Sequence, residues 1–249
     1  MECQIIGQSI IILEQTPSTN NYATDQVREN EVKEGTVFLA VAQTAGRGHL
    51  ANKWESAAGK NLTFSIYIRP NFLPIEKSYM LSKVVCLGLE RYLSRFVDQV
   101  RIKWPNDVYV GDRKICGILI ENGIMRGEIL QSIIGIGLNI NQEKFVSDAP
   151  NPVSLFQLTG ETRDLEEQLK ELLSHIDLFY QKLAKGEYEE VSDLFVSKLY
   201  RLNEWHWFKD DQGKYFGKII GVNEIGQLLV EDESKNVRAY HFKEVSYLI

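Results

Sequence analysis

Short apolar runs of strand length alternate along this chain with stretches in which apolar residues recur every three to four positions. Residues 5–13, 36–43 and 61–68 are apolar and β-rich, and each predicts a strand. Thr16-Pro17-Ser18-Thr19 predicts a turn opening a short helix to about Glu29, because hydroxyl side chains cap free backbone N–H groups. Leu81, Val84, Val85, Gly88, Leu89, Tyr92, Leu93 and Phe96 fall at helical spacing, and so do Leu165, Leu169, Leu172, Leu173, Ile176, Phe179 and Leu183. A third helix is expected over 188–199. Residues 100–104, 107–110 and 114–121 read as strands, with Gly111-Asp112 as a hairpin signal, and 128–140 as a further β segment.

After Arg201 the texture changes. Short β segments recur between turn residues at Asp210-Asp211-Gln212-Gly213, Asn223-Glu224-Ile225-Gly226 and Ser234-Lys235-Asn236. That spacing predicts a small all-β module, a five-stranded barrel, over residues 201–249. Residues 1–200 form a mixed α+β domain, since several strands follow one another through hairpins rather than through the helices of a doubly wound sheet. The 44 % of apolar and 25 % of charged residues suit a chain that buries a core.

The net charge of −6 speaks against the basic face that a nucleic-acid-binding protein uses. Cys3, Cys86 and Cys116 are odd in number and lack CxxC spacing, which predicts reduced thiols and a cytoplasmic protein. The N-terminus has no basic segment or cleavage site, and no run reaches membrane-spanning length. His49, His175, His206 and His241 are widely separated, so no fixed metal site is expected.

Candidate chemistry sits in two places. Gly46-Arg47-Gly48 is a glycine-rich loop carrying a permanent cation suited to phosphate oxygens, and Trp54 lies within reach to stack on a nucleobase. Neither the P-loop pattern nor the dinucleotide fingerprint is present. On spacing alone the same residues also suit a surface turn beside a core tryptophan. The polar segment 44–60 that holds them is long for a compact domain, as lids and binding loops are. The second place is Lys103-Trp104-Pro105-Asn106-Asp107, followed by Arg113-Lys114 at the mouth of an apolar strand. An ammonium there could bring a carboxylate and a phosphate together and stabilise the charge that builds between them. A solvated hairpin lysine has the same spacing. Asn106 and Asp107 could bond a ligand or magnesium-bound water, and Gly135-Ile136-Gly137-Leu138-Asn139 is a further candidate ligand edge.

Taken in order, Ser18-Thr19-Asn20, Gln43 with Gly46-Arg47-Gly48 and Trp54, Lys103 to Asp107, Arg113-Lys114 with Gly117, and Gly135 to Asn139 resemble the biotin protein ligase family over nearly the whole chain. The resemblance implies a class II synthetase-like catalytic domain, with a mixed, largely antiparallel sheet and packed helices, plus a small C-terminal SH3-like β-barrel. It implies that biotin and MgATP give biotinyl-5′-AMP, whose biotin then passes to a lysine of a biotin carboxyl carrier domain. By resemblance, Ser18, Thr19, Asn20 and Gln43 face the biotin ring, and Arg47, Gly48 and His49 wrap the activated carboxyl. Lys114, with Gly117 beside it, meets the carboxylate and the phosphoryl group. Trp54, Asn106 and Asn139 border the adenine, and Asp107 acts with Arg47 and Lys114 in catalysis. Magnesium enters with ATP rather than in a fixed site. A homodimer is compatible with the resemblance.

Two departures stand out. Where the family often carries a second arginine after Gly-Arg-Gly, this chain has His49, which is only partly charged near neutrality. The Ser-Thr-Asn motif begins at residue 18, too early for the winged-helix DNA-binding domain that some relatives carry, so a ligase without a repressor function is expected. Two rival readings are a lipoate or octanoate ligase or transferase, whose glycine-rich motif differs from this one, and a non-catalytic biotin-binding module.

Overall fold

The computed structural model describes residues 4–48, 53–147 and 150–248. A mixed seven-stranded sheet organises the first part of the chain. Its strands are β1 (Ile10–Thr16), β2 (Val37–Gln43), β3 (Leu62–Ile68), β4 (Val100–Lys103), β5 (Asp107–Val110), β6 (Arg113–Met125) and β7 (Glu128–Leu138). They lie in the order β1-β2-β3-β7-β6-β5-β4. Only β1 runs parallel to its neighbour; every other pairing is antiparallel.

β3 reads as an unbroken apolar run because it is central and buried along its whole length. Its side chains still alternate. Leu62, Phe64, Ile66 and Ile68 join the main core, which α2 (Met80–Leu93), α4 (Leu165–Ala184) and α5 (Tyr188–Ser197) cover. Tyr67 belongs to a smaller cluster with Ala23, Phe38 and Ile133 under α1 (Thr19–Glu29), and Ser65 on the same face bonds the start of α1. β6 and β7 repeat the division: Ile118, Ile134, Ile136 and Leu138 face the main core, whereas Gly117, Gly135 and Gly137 look out on α1 and Trp54.

Several boundaries differ from the sequence reading. The first strand starts at Ile10, not residue 5, because the Ile5 and Ile6 amides are taken by Asp177 Oδ1 of α4 at 2.9 and 2.8 Å. Ser18 holds the N-cap position of α1 without a side-chain cap bond. The Thr19 amide donates instead to Gln43 Oε1 at 2.9 Å, so a neighbouring strand does the work expected of a hydroxyl. β6 and β7 form a long hairpin closed by Arg126 and Gly127, both at positive φ. A short helix α3 (Leu155–Thr159), capped reciprocally by Ser154 and Gln157, has no counterpart in the periodicity because five residues are too few to show one.

The C-terminal segment forms an antiparallel five-stranded sheet from β8 (Trp205–Asp210), β9 (Gly213–Val222), β10 (Leu228–Asp232), β11 (Val237–Tyr240) and β12 (Ser246–Tyr247), in the order β11-β10-β9-β8-β12. Trp104 Nε1 donates to Gly226 O at 2.9 Å and its ring meets Phe242, which ties this sheet to the β4–β5 hairpin. Cys86 and Cys116 are buried free thiols whose pKa burial raises, the inert kind of cysteine. Cys3 lies outside the described residues. Among the described residues no helix is long and apolar enough to cross a membrane.

Candidate active site

A cleft of about 560 Å³ opens on the side of the large sheet that carries α1, between the 43–54 loop, the β4–β5 hairpin and the C-terminal strands. It brings together Ser18, Thr19, Asn20, Gln43, Arg47 and Gly48 with Trp54, Asn106, Asp107, Lys114 and Gly117.

One wall is the start of α1. Ser18, Thr19 and Asn20 are buried. Ser65 Oγ lies 2.8 Å from Thr19 Oγ1 and donates to Asn20 Oδ1 at 2.6 Å. Asn20 Nδ2 in turn donates to Glu121 Oε2 at 2.6 Å. Asn20 crosses above Gly135 so closely that a Cβ there would lie 2.3 Å from its Oδ1. The polar triad is therefore fixed from β3, β6 and β7 before any ligand arrives, a preorganisation that favours binding.

The loop forms the second wall. Trp54 N donates to Gly46 O at 2.9 Å, and a bridge pairs Arg47 with Lys53, so the segment folds back on itself. The Trp54 indole lies over Gly117 and Gly137, and its buried Nε1 has no partner among the described residues. Arg47 Nη2 donates to both carboxylate oxygens of Glu121 at 2.9 Å.

At the far end, Lys114 Nζ meets Asp107 Oδ1 at 2.7 Å and lies 5.8 Å from the Trp54 ring centre. Lys103 is paired in register with Asp107, its Nζ donating to Tyr109 Oη at 3.1 Å and facing the Tyr247 ring at 5.0 Å. Burial pushes the Lys103 ammonium below the usual lysine value; Asp107 opposes the shift and Lys114 adds to it. Two cations thus lie beside one carboxylate at this end of the cleft. Asn106 is held against β6 through Nδ2 to Ile118 O at 2.5 Å and through its backbone carbonyl, which accepts from Ile118 N at 3.0 Å; its Oδ1 has no partner among the described residues.

Asn139 is not brought into the cleft. It is only 2 % exposed; its Nδ2 donates to Val153 O at 3.0 Å, fastening the end of β7 to the segment before α3, and its buried Oδ1 has no partner among the described residues. His49 lies outside the described residues. Other wall residues escaped the sequence reading. Lys53 and Thr63 carry no motif, and Lys243 and Tyr247 come from the C-terminal segment, more than 120 residues away from Lys114. Glu121 lines an adjoining cavity under the loop. Two residues beyond Leu119 on β6, it shares the cleft-side face, a placement that strand alternation gives once the strand is known.

A cleft with basic side chains at both ends, an aromatic plate on a glycine floor and a hydrogen-bonding recess suits a small acid joined to a nucleotide phosphate. The sequence profile of the Biotin/lipoate A/B protein ligase family matches residues 12–139. The bifunctional ligase/repressor BirA of Escherichia coli is 32 % identical over 239 residues, which is 92 % of this chain and 71 % of that protein. The Bacillus subtilis protein of the same description is 28 % identical over 237 residues, covering 93 % of this chain and 72 % of that one. Among solved structures, the Aquifex aeolicus biotin protein ligase in complex with biotin and ATP superposes with a TM-score of 0.79 at 29 % identity, over 96 % of this chain and 98 % of that one. The chain belongs to the biotin/lipoate A/B protein ligase family.

Proposed function

We propose that this protein is an ATP-dependent biotin–protein ligase. The observation that carries the reading is the meeting of Lys114, Arg47 and the Ser18-Thr19-Asn20 recess in one cleft. The biotin and ATP named in the Aquifex aeolicus complex support it.

In the first step a carboxylate oxygen of biotin attacks the α-phosphorus of ATP. The new P–O bond forms as the bond to the β-phosphate breaks, and pyrophosphate leaves. Lys114 and Arg47 hold two anions that otherwise repel each other and stabilise the charge that builds as they join. Ser18, Thr19, Asn20 and Gln43 take the biotin ring, Gly48 and Gly117 let backbone approach the activated carboxyl, and Trp54 and Asn106 border the adenine. Magnesium carried on the nucleotide neutralises phosphate charge, and Asp107 and Asn106 offer the oxygen donors it takes. Asn139 is also assigned to the adenine edge, because only its Nδ2 bonds Val153 and its buried Oδ1, without a partner among the described residues, can accept from the base.

In the second step the amine of a carrier lysine attacks the acyl carbon and AMP leaves. A free lysine is neutral only about once in 2,500 molecules at pH 7, so a group must take its proton. Asp107 is that group. It also orients Lys114 through their 2.7 Å contact. Loop 44–60 closes over the mixed anhydride and keeps water out. The acceptor is a biotin carboxyl carrier domain in the cytoplasm, with no nucleic acid or membrane involved. Residues 1–200 act as the catalytic unit, and residues 201–249 cover its nucleotide end.

Incubation with ATP, Mg²⁺, biotin and a carrier domain, followed by mass spectrometry, should show one biotinyl group on the carrier. Lipoate should not compete. A carrier of unchanged mass, together with no biotin-dependent pyrophosphate exchange, overturns the reading.

A further inference from the structure

Arg47 reaches the cleft from a loop, and a loop cation needs something to aim it. Glu121 stands directly beneath. It projects from β6 on the face shared with Gly117 and Leu119, because alternate strand residues point the same way. Both of its carboxylate oxygens accept from Arg47 Nη2 at 2.9 Å, and Oε2 also accepts from Asn20 Nδ2 at 2.6 Å. A single carboxylate therefore joins the two walls, the start of α1 and the loop.

What it leaves free matters as much. Glu121 uses one terminal nitrogen of the guanidinium, and among the described residues Arg47 Nε and Nη1 make no hydrogen bond. A guanidinium has five donors in a rigid fork, so holding one edge turns the others toward the cleft. The same contact settles Asn20. With Nδ2 committed to Glu121, its Oδ1 faces Ser65 and the amide cannot flip. The side chains of Arg47 and Glu121 are 42 % and 39 % exposed, too wet for the pair to add much to overall stability. Its effect falls on orientation.

We propose that Glu121 is a positioning residue for adenylate formation, aiming Arg47 at the acyl-phosphate while its bond to Asn20 Nδ2 fixes that side chain in the recess wall. The identity of the anion rests on the ligase reading; the aiming of Arg47 does not.

The test compares wild type, Glu121→Gln, Arg47→Ala and the double variant. Gln is nearly isosteric and keeps an acceptor for Asn20 while removing the charge that holds Arg47, so folding is preserved. Trypsin cleavage after Arg47 in the ligand-free chain should be several-fold faster in Glu121→Gln. In biotin-dependent pyrophosphate exchange, kcat should fall about tenfold with the KM for ATP nearly unchanged, a split that a merely structural defect would not give. The double variant should be no slower than Arg47→Ala alone, because Glu121 acts on the reacting groups through Arg47. Unchanged cleavage and unchanged exchange in Glu121→Gln overturn the proposal, as does a double variant whose losses multiply. A wild-type chain that makes no adenylate, while Glu121→Gln still exposes Arg47 to trypsin, defeats the ligase reading and leaves the aiming of Arg47 standing.

Discussion

The indole of Trp54 rests on Gly137, so closely that a Cβ at that glycine would meet its Cε2 atom at 2.2 Å. The pairing fixes the height of the aromatic plate above the sheet. It also explains why a strand that is otherwise rich in isoleucine carries a glycine there.

Gly137→Ala should lift Trp54 off the floor. The expected result is a shift in tryptophan emission, a weakening of ATP binding by about tenfold or more, and a stability loss of about 1–3 kcal/mol from overpacking. Fluorescence titration and urea unfolding check these together. Unaltered emission with normal ATP binding would show that the plate has another support.

Lys114 and Asp107 divide the two chemical steps between them. Lys114→Ala should reduce biotin-dependent pyrophosphate exchange by about 10²–10³-fold, the scale of losing one donor to developing charge. Asp107→Asn should slow transfer from preformed biotinyl-AMP by about 10²-fold, measured by carrier mass against time. Normal transfer rates in Asp107→Asn would remove this carboxylate from the proton-accepting role.

Lys83 provides a pH signature unrelated to the cleft. It is 2 % exposed, donates to Ser192 Oγ at 2.9 Å and lies between the Tyr79 and Phe195 rings. Burial lowers its pKa to about 8, against the opposing charges of Asp193 and Glu224. Between pH 8 and the unfolded value of 10.5 the unfolded chain binds the proton and the folded chain does not. Stability from this group therefore rises with pH across that window, and at pH 7 the buried ammonium costs on the order of 3 kcal/mol. Lys83→Met should be more stable than wild type at pH 7, with the difference shrinking by pH 10. Thermal unfolding at a series of pH values measures it, and a constant difference would contradict the assignment.

Gly226 joins the C-terminal sheet to the cleft. Its φ is +88°, and a Cβ would lie 2.5 Å from Tyr79 Cγ. Its carbonyl accepts from Trp104. Gly226→Ala should cost about 1–3 kcal/mol from strain and overlap. It should also raise the KM for ATP by loosening the wall that carries Lys243 and Tyr247. Chemical denaturation and steady-state kinetics would show whether the two effects travel together.

Much of the architecture was legible because it is local. The apolar runs of β2 and β3, the helical spacing from Leu165 to Leu183, and the turn residues after Arg201 each report one element through its own periodicity. Boundaries set by distant partners were not. No property of residues 5–9 reveals that Asp177 will claim the Ile5 and Ile6 amides, and nothing around Ser18 says that Gln43 will cap Thr19. The cleft shows the same divide. Arg47 and Lys114 stand out through their glycine and strand contexts. Glu121, Lys243 and Tyr247 carry no such context: Glu121 is placed by the pairing of β6, and Lys243 and Tyr247 by the docking of the C-terminal segment against the β4–β5 hairpin. Asn139 illustrates the reverse: it sits in a conspicuous Gly-rich motif, yet it does not line the cleft, its Nδ2 bonding Val153 while its Oδ1 lies buried without a partner among the described residues.

The two-sided character of β3 has a practical use for enzyme engineering. Phe64 and Ile66 anchor the interior, while Thr63 and Ser65, one position away, border the ligand recess. A library that randomises Thr63, which lines the cleft, and keeps the buried Ser65 that holds Thr19 and Asn20 would explore new acyl substrates while leaving the scaffold's contacts in place.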